Sequence, residues 1–170
     1  MERGYVQVYT GDGKRKTTAA LGLVARVLGA GLAVHVIQFI KSMEYHELRT
    51  LRVLGVPAHQ YGRGCFISGE PKSEDKDMAM RGLAFARELM AQGALDLLVL
   101  DETNVAASLG LLAIEDVLDA VRSKPKSLEL VCTSRGAPRQ LIDSADLVTE
   151  MVNRKHYYDA RIAARDGIER

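Results

Sequence analysis

Short apolar runs rich in β-branched residues alternate with segments of helical period along the whole chain. That alternation constrains the fold more than any other feature of the sequence. The runs are residues 5–9, 33–40, 58–61, 95–100, 128–133 and 147–151, and each is expected to be a strand. Residues 17–28, 45–54, 74–92, 114–121 and 139–145 carry helix patterning. Gly29 and Gly31 close the first helix, and Gly55 the second. Strands that alternate with helices are joined in parallel by right-handed crossovers. The expected fold is therefore α/β, in three layers, with a mostly parallel sheet flanked by helices. Ligands of such a sheet bind beyond the carboxyl ends of its strands. The polar stretches 10–18, 41–47, 62–68, 101–104 and 133–136 are where a site is expected. From Gly62 to Ser73 the pattern breaks into a loop punctuated by Gly62, Gly64, Gly69 and Pro71, with Phe66 and Ile67 as its apolar residues.

Composition narrows the function classes. A length of 170 residues suits one domain, 1–170, and no repeat or linker divides it. Lys plus Arg number 23 and Asp plus Glu 22, so the net charge of +1 argues against a generic nucleic-acid binder. No apolar run reaches the length of a membrane span, and the first residues lack the apolar centre of a signal peptide. Cys65 and Cys132 form no CxxC, which argues against a disulfide framework or zinc site and suits a reducing cytoplasm. Trp is absent, so the core must be aliphatic.

The strongest motif is Thr10-Gly11-Asp12-Gly13-Lys14-Arg15-Lys16-Thr17-Thr18, set between the first strand and the first helix. Its glycines let successive N–H groups converge on an anion, and the helix aims its positive dipole end at the same point. Lys16 adds a full charge, and the Thr17 hydroxyl is placed to ligate Mg²⁺. The match to the general phosphate-loop pattern is imperfect, with Thr10 and Arg15 where glycines would stand, and a basic turn opening a surface helix is the bland alternative. A second motif, Leu97-Leu98-Val99-Leu100-Asp101-Glu102, delivers acids at a strand end. Such a strand often merely caps the next helix, but it is also the usual magnesium-side partner of a phosphate loop. Together the two motifs point to a P-loop NTPase-like fold, with Thr17, Asp101 and Glu102 as the metal set.

Carried further, the sequence resembles the P-loop ATP-dependent corrinoid adenosyltransferases, which act on cob(I)alamin or cob(I)yrinic acid a,c-diamide. Residues 10–20, TGDGKRKTTAA, are similar to that family's offset-glycine loop. The resemblance continues through Gln38-Phe39-Ile40-Lys41, Glu47, Val99-Leu100-Asp101-Glu102, Thr133 with Arg135, residues 145–151, Lys155-His156 and residues 167–169. It implies transfer of the 5′-deoxyadenosyl group of ATP to the cobalt of a Co(I) corrinoid, with whole triphosphate leaving and the ATP lying reversed in the loop. It also implies Mg²⁺ or Mn²⁺, a reductant or flavoprotein that supplies electrons for Co(I), and a cytoplasmic homodimer. Co(I) is so strong a nucleophile that no general base is needed, and the burden falls on alignment and on charge stabilisation. The resemblance assigns Lys16, Thr17 and Glu102 to catalysis. It assigns nucleotide or corrinoid contacts to Thr10, Gly11, Asp12, Gly13, Lys14, Arg15, Lys16, Thr17, Thr18, Arg26, Arg135 and Phe66.

Several positions depart from that family's pattern. Arg15, His46, Ser134 and Arg161 stand where it has glycine, and Cys65 and Ile67 flank Phe66 where it often has Phe and Trp. Two rivals stand beside this reading: another P-loop ATPase or small-molecule kinase, and, from the glycine losses at Arg15 and Ser134, a catalytically weak relative that binds ATP or corrinoid. His35 is expected to be structural, His59 shows no partner pattern, His156 matches the resemblance but could pair with Asp159, and Cys132 is expected in the core.

Overall fold

Aliphatic strands with no polar face need helices on both sides, and the chain supplies them. The computed structural model describes residues 2–64 and 69–168. Among these, β1 (Val6–Thr10), α1 (Lys16–Gly29), β2 (Val34–Lys41), α2 (His46–Val53) and β3 (Ala58–Gly64) come first. They are followed by α3 (Ser73–Gln92), β4 (Leu97–Asp101), α4 (Thr103–Ser108), α5 (Ile114–Ser123), β5 (Glu129–Thr133), α6 (Arg139–Ser144) and β6 (Leu147–Glu150). The strands form one sheet in the order β3-β2-β4-β5-β1-β6, and every neighbouring pair is parallel.

Side-chain alternation along each strand divides the core into two layers. Val8, Ile37, Phe39, Leu98, Leu100, Leu130 and Cys132 face α3, α5 and α6. Their neighbours Tyr9, Val36, Leu97, Val99 and Val131 face α1 and α2 through Ala20, Val24 and Leu51. The three layers agree with the reading of the sequence. Two local differences matter. Gly62 and Gly64 belong to β3 rather than to a loop, and the short helix α4 has too few residues to show a period. Among the described residues no helix is long and apolar enough to cross a membrane.

His35 is buried mid-strand, as expected of a structural histidine, but His59 does have a partner. The two rings stack with their planes 9° apart, share a 2.9 Å hydrogen bond, and meet the edge of Phe85. Burial, and then the neighbouring His59, push the His35 pKa down to about 4. Between pH 6.5 and pH 4 the unfolded chain therefore binds a proton at His35 that the native chain refuses, and stability falls as pH falls. From pH 7 to pH 5 this term is expected to cost about 2 kcal/mol. Urea unfolding of wild type and His35→Gln at both pH values checks it; equal pH sensitivity of the two proteins would remove His35 as the cause.

Candidate nucleotide site

Every chemically promising segment opens from the carboxyl edge of the sheet. β1 delivers the phosphate loop, and β4 delivers Asp101 and Glu102. β5 lies between those two strands and delivers Thr133, Ser134 and Arg135. The end of β2 contributes Gln38 and Lys41.

The loop is held from one side by the segment that follows β6. The Met151 N–H donates to the Thr10 carbonyl at 2.8 Å, and the Gly13 N–H donates to the Met151 carbonyl at 2.6 Å. Gly11 has φ +92°, and a Cβ there would stand 2.5 Å from the Met151 oxygen, so only glycine fits. The Thr10 hydroxyl accepts from the Ala137 N–H at 3.2 Å and braces the loop after β5. No side chain caps α1, and no acidic residue lies in its first turn, so its N-terminal N–H groups and dipole face the loop unopposed. The Lys16 ammonium donates to the Gly11 and Gly13 carbonyls at 2.7 and 2.5 Å and spans the loop. Burial lowers its pKa; Glu102 and Asp12 work against that lowering, and Arg135 adds to it. These terms put Lys16, Glu102, Asp12 and Arg135 within one electrostatic neighbourhood.

Asp101 is buried and saturated. Its Oδ1 accepts from the hydroxyls of Thr17 at 2.9 Å and Thr133 at 2.5 Å. Its Oδ2 accepts from Gln38 at 3.0 Å and from the Lys41 ammonium at 2.9 Å. Burial alone would raise its pKa, but the Lys41 charge and the hydrogen bonds from Lys41, Thr133 and Thr17 hold it below the usual carboxylate range. Lys41 also meets Glu47 at 3.3 Å, and its pKa is raised: its carboxylate neighbours outweigh burial, which taken alone would lower it. Glu102 differs from its neighbour. Its Oε2 accepts from the Ser134 hydroxyl at 2.6 Å, and burial followed by the Asp101 charge raises its pKa. Asn104 ties the site together underneath, donating to the carbonyls of Tyr9 and Ser134 at 3.0 and 2.9 Å.

This donor set fits a magnesium ion. Thr17 spends its hydroxyl proton on Asp101, which leaves the lone pairs of Thr17 for a metal. Asp101 has all four acceptor positions engaged, so Glu102 is the carboxylate left to ligate directly. Among the described residues no group of three His, Cys, Asp or Glu forms a metal cage. Hard oxygen ligands from one hydroxyl and one carboxylate, completed by phosphate and water, suit Mg²⁺.

The remaining expected residues divide. Lys14, Asp12, Thr18 and Arg135 are exposed around the loop. Arg15 donates to the Ile168 carbonyl at 2.6 Å. Arg26 lies in the last turn of α1, ten residues beyond Lys16 and so about 15 Å along the helix. It is exposed at that end of the helix. Phe66, with Cys65 and Ile67, lies outside the described residues. Arg15, Ser134 and Arg161, expected glycine positions, have φ of 85°, 127° and 55°, so the backbone keeps a glycine-like shape beneath larger side chains. His156 accepts from the Tyr158 N–H at 2.9 Å, which folds the tail locally. Cys132 is in the core, with burial pushing its thiol up to about 12.

Gln38, Lys41, Thr133, Ser134 and Asn104 were not assigned roles from the sequence. Gln38, Lys41 and Thr133 lie in the stretches that carry the family resemblance, and Ser134 and Asn104 fall in the polar stretches that follow β5 and β4.

A family model described as ATP:corrinoid adenosyltransferase BtuR/CobO/CobP matches residues 2–170. A corrinoid adenosyltransferase of Pseudomonas aeruginosa is 38% identical over 173 residues, which cover 99% of this chain and 84% of that protein. The corrinoid adenosyltransferase CobA of Salmonella typhimurium is 35% identical over 169 residues, 99% of this chain and 86% of its own. A corrinoid adenosyltransferase of Escherichia coli is 33% identical with the same coverage.

Proposed function

Since the chain belongs to the family of ATP:corrinoid adenosyltransferases, we propose that its phosphate loop, Glu102 and the loop after β5 together bind ATP and carry the departing triphosphate. The reaction forms a bond between the Co(I) of the corrinoid substrate and C5′ of ATP. The C5′–O bond breaks, and its electron pair leaves with triphosphate. Cobalt supplies both electrons of the new bond, so no side chain has to remove a proton.

The protein's work is alignment and charge. Lys16 and the N–H groups of the loop and of α1 bind the phosphate chain, and Lys14 and Arg135 line its exit. Lys16 carries the largest share, since it already spans the loop between the Gly11 and Gly13 carbonyls. Thr17 and Glu102 would hold Mg²⁺, which when bound would neutralise phosphate charge. Asp101 orients Thr17 and is not itself a ligand. Asp12 is at the loop's exposed rim, where a ribose hydroxyl would meet it. The ATP lies reversed, with its γ-phosphate deepest and C5′ turned toward the corrinoid. Phe66 belongs to the corrinoid side. The working protein is a cytoplasmic homodimer of single-domain subunits, supplied with Co(I) by a reductant or flavoprotein.

The grouping of Lys16, Thr17, Asp101 and Glu102 at one sheet edge is the observation that carries this reading. Incubation with ATP, Mg²⁺ and chemically reduced corrinoid should yield adenosylated corrinoid and triphosphate in equal amounts. Release of ADP or orthophosphate without a change in the corrinoid spectrum would overturn the reading. Binding without turnover would mark a carrier.

A further inference from the structure

In an unbroken β2, alternation would put Gln38 and Ile40 on the α1 side of the sheet and Phe39 and Lys41 on the α3 side. The first two of these follow the rule: Phe39 packs in the α3 layer, and Gln38 reaches Asp101. The next two are exchanged. Ile40 packs against the α3 layer, and Lys41 joins Gln38 on the same Asp101 oxygen. The exchange occurs at a break in the ladder. Phe39 faces Tyr61 but Lys41 faces Gly64, so two steps on β2 match three on β3. Ile40 sits at φ +66°. A positive φ is a pronounced outlier for a β-branched residue, and such outliers gather at functional sites. The partner strand is adapted to it, because a Cβ on Gly62 would overlap the Ile40 carbonyl and approach the Lys41 nitrogen to 2.6 Å. Strain at Ile40 and a glycine at position 62 thus have one common result, the direction of Lys41.

We propose that Lys41 is a positioning residue of the nucleotide site, turned by the β2–β3 bulge onto Asp101, through which it fixes the Thr17 hydroxyl for the metal. The proposal rests on the reading of this site as one for ATP with Mg²⁺. Lys41 and Gln38 fill Oδ2 of Asp101, which leaves Oδ1 to Thr17 and Thr133. An Asp101 held in this way keeps Thr17 as a donor, with its lone pairs free. Without Lys41 the carboxylate can rotate, and the Thr17 proton no longer has a fixed acceptor. Partners one step removed from a metal typically change its affinity by 10- to 100-fold.

Calorimetric titration of ATP, once with Mg²⁺ and once with EDTA, tests this on wild type, Lys41→Met and Gly62→Ala. Lys41→Met should weaken binding with Mg²⁺ about tenfold while leaving metal-free ATP affinity within about twofold. Gly62→Ala, which alters no group that touches Asp101, should produce the same selective loss from the neighbouring strand, and it carries the test if Lys41→Met does not fold. An unchanged magnesium effect in the folded variants would overturn the proposal and leave Lys41 a purely structural ion pair. A matching loss of metal-free affinity would overturn it in favour of a direct phosphate contact. A wild-type protein whose ATP affinity ignores Mg²⁺ would overturn the nucleotide-site reading, and this proposal with it.

Discussion

Replacing Lys16 with alanine is expected to slow adenosyl transfer about 100- to 1,000-fold, the usual loss when one preorganised donor to a leaving oxyanion is removed. The triphosphate gains charge as its bond to C5′ breaks, and Lys16 is the partly buried cation spanning the loop that receives it. Its partial burial matters in two ways. Desolvation lowers its pKa, while Glu102 and Asp12 oppose that lowering. The same low-dielectric setting strengthens its pull on developing charge. Lys14 is exposed and cannot substitute, because solvent screens it. Single-turnover rates at saturating ATP, with the corrinoid already reduced, isolate the chemical step. A loss smaller than about tenfold would move the burden from Lys16 to the magnesium ion and the backbone donors.

Asp101→Ala should produce the largest loss of stability, about 3–5 kcal/mol, the usual cost of removing one partner from a buried ion pair. Asp101 is only 1% exposed, and Lys41 beside it 15%. Without the carboxylate, Lys41 is left with Glu47, at the longer distance of 3.3 Å, and with the charge of Glu102. Thr17, Thr133 and Gln38 lose an acceptor at the same moment. For a chain of this size the melting temperature should drop by about 10 °C. Urea unfolding with calorimetry would measure both quantities. A loss below about 1 kcal/mol would mean that water enters and resolvates Lys41.

The sequence disclosed what is encoded over short stretches. Residues 10–18 hold the glycines, lysine and hydroxyl of the loop within one turn of chain, and Leu97–Asp101 reads as a buried strand without help from its neighbours. The part it hid depends on pairing. Lys41 read as the first residue of the polar stretch 41–47, and the slip against β3 turns it toward Asp101. Gly62 looked like loop punctuation because its reason, the Ile40 carbonyl, lies on another strand. The six residues of α4 are placed by Asn104 reaching Tyr9 and Ser134, not by an amphipathic repeat.

The contact between Met151 and the loop has a consequence for the order of events during synthesis. Every residue of the phosphate loop leaves the ribosome early, yet the Gly13 N–H and the Thr10 carbonyl wait for Met151, about 140 residues later in the chain. β6, which brings Met151 into place, is the last strand to join and does so at the edge next to β1. A nascent chain thus carries the whole loop without its supporting wall through most of translation. Completion of the loop's support is thus a late event, coupled to closure of the final strand.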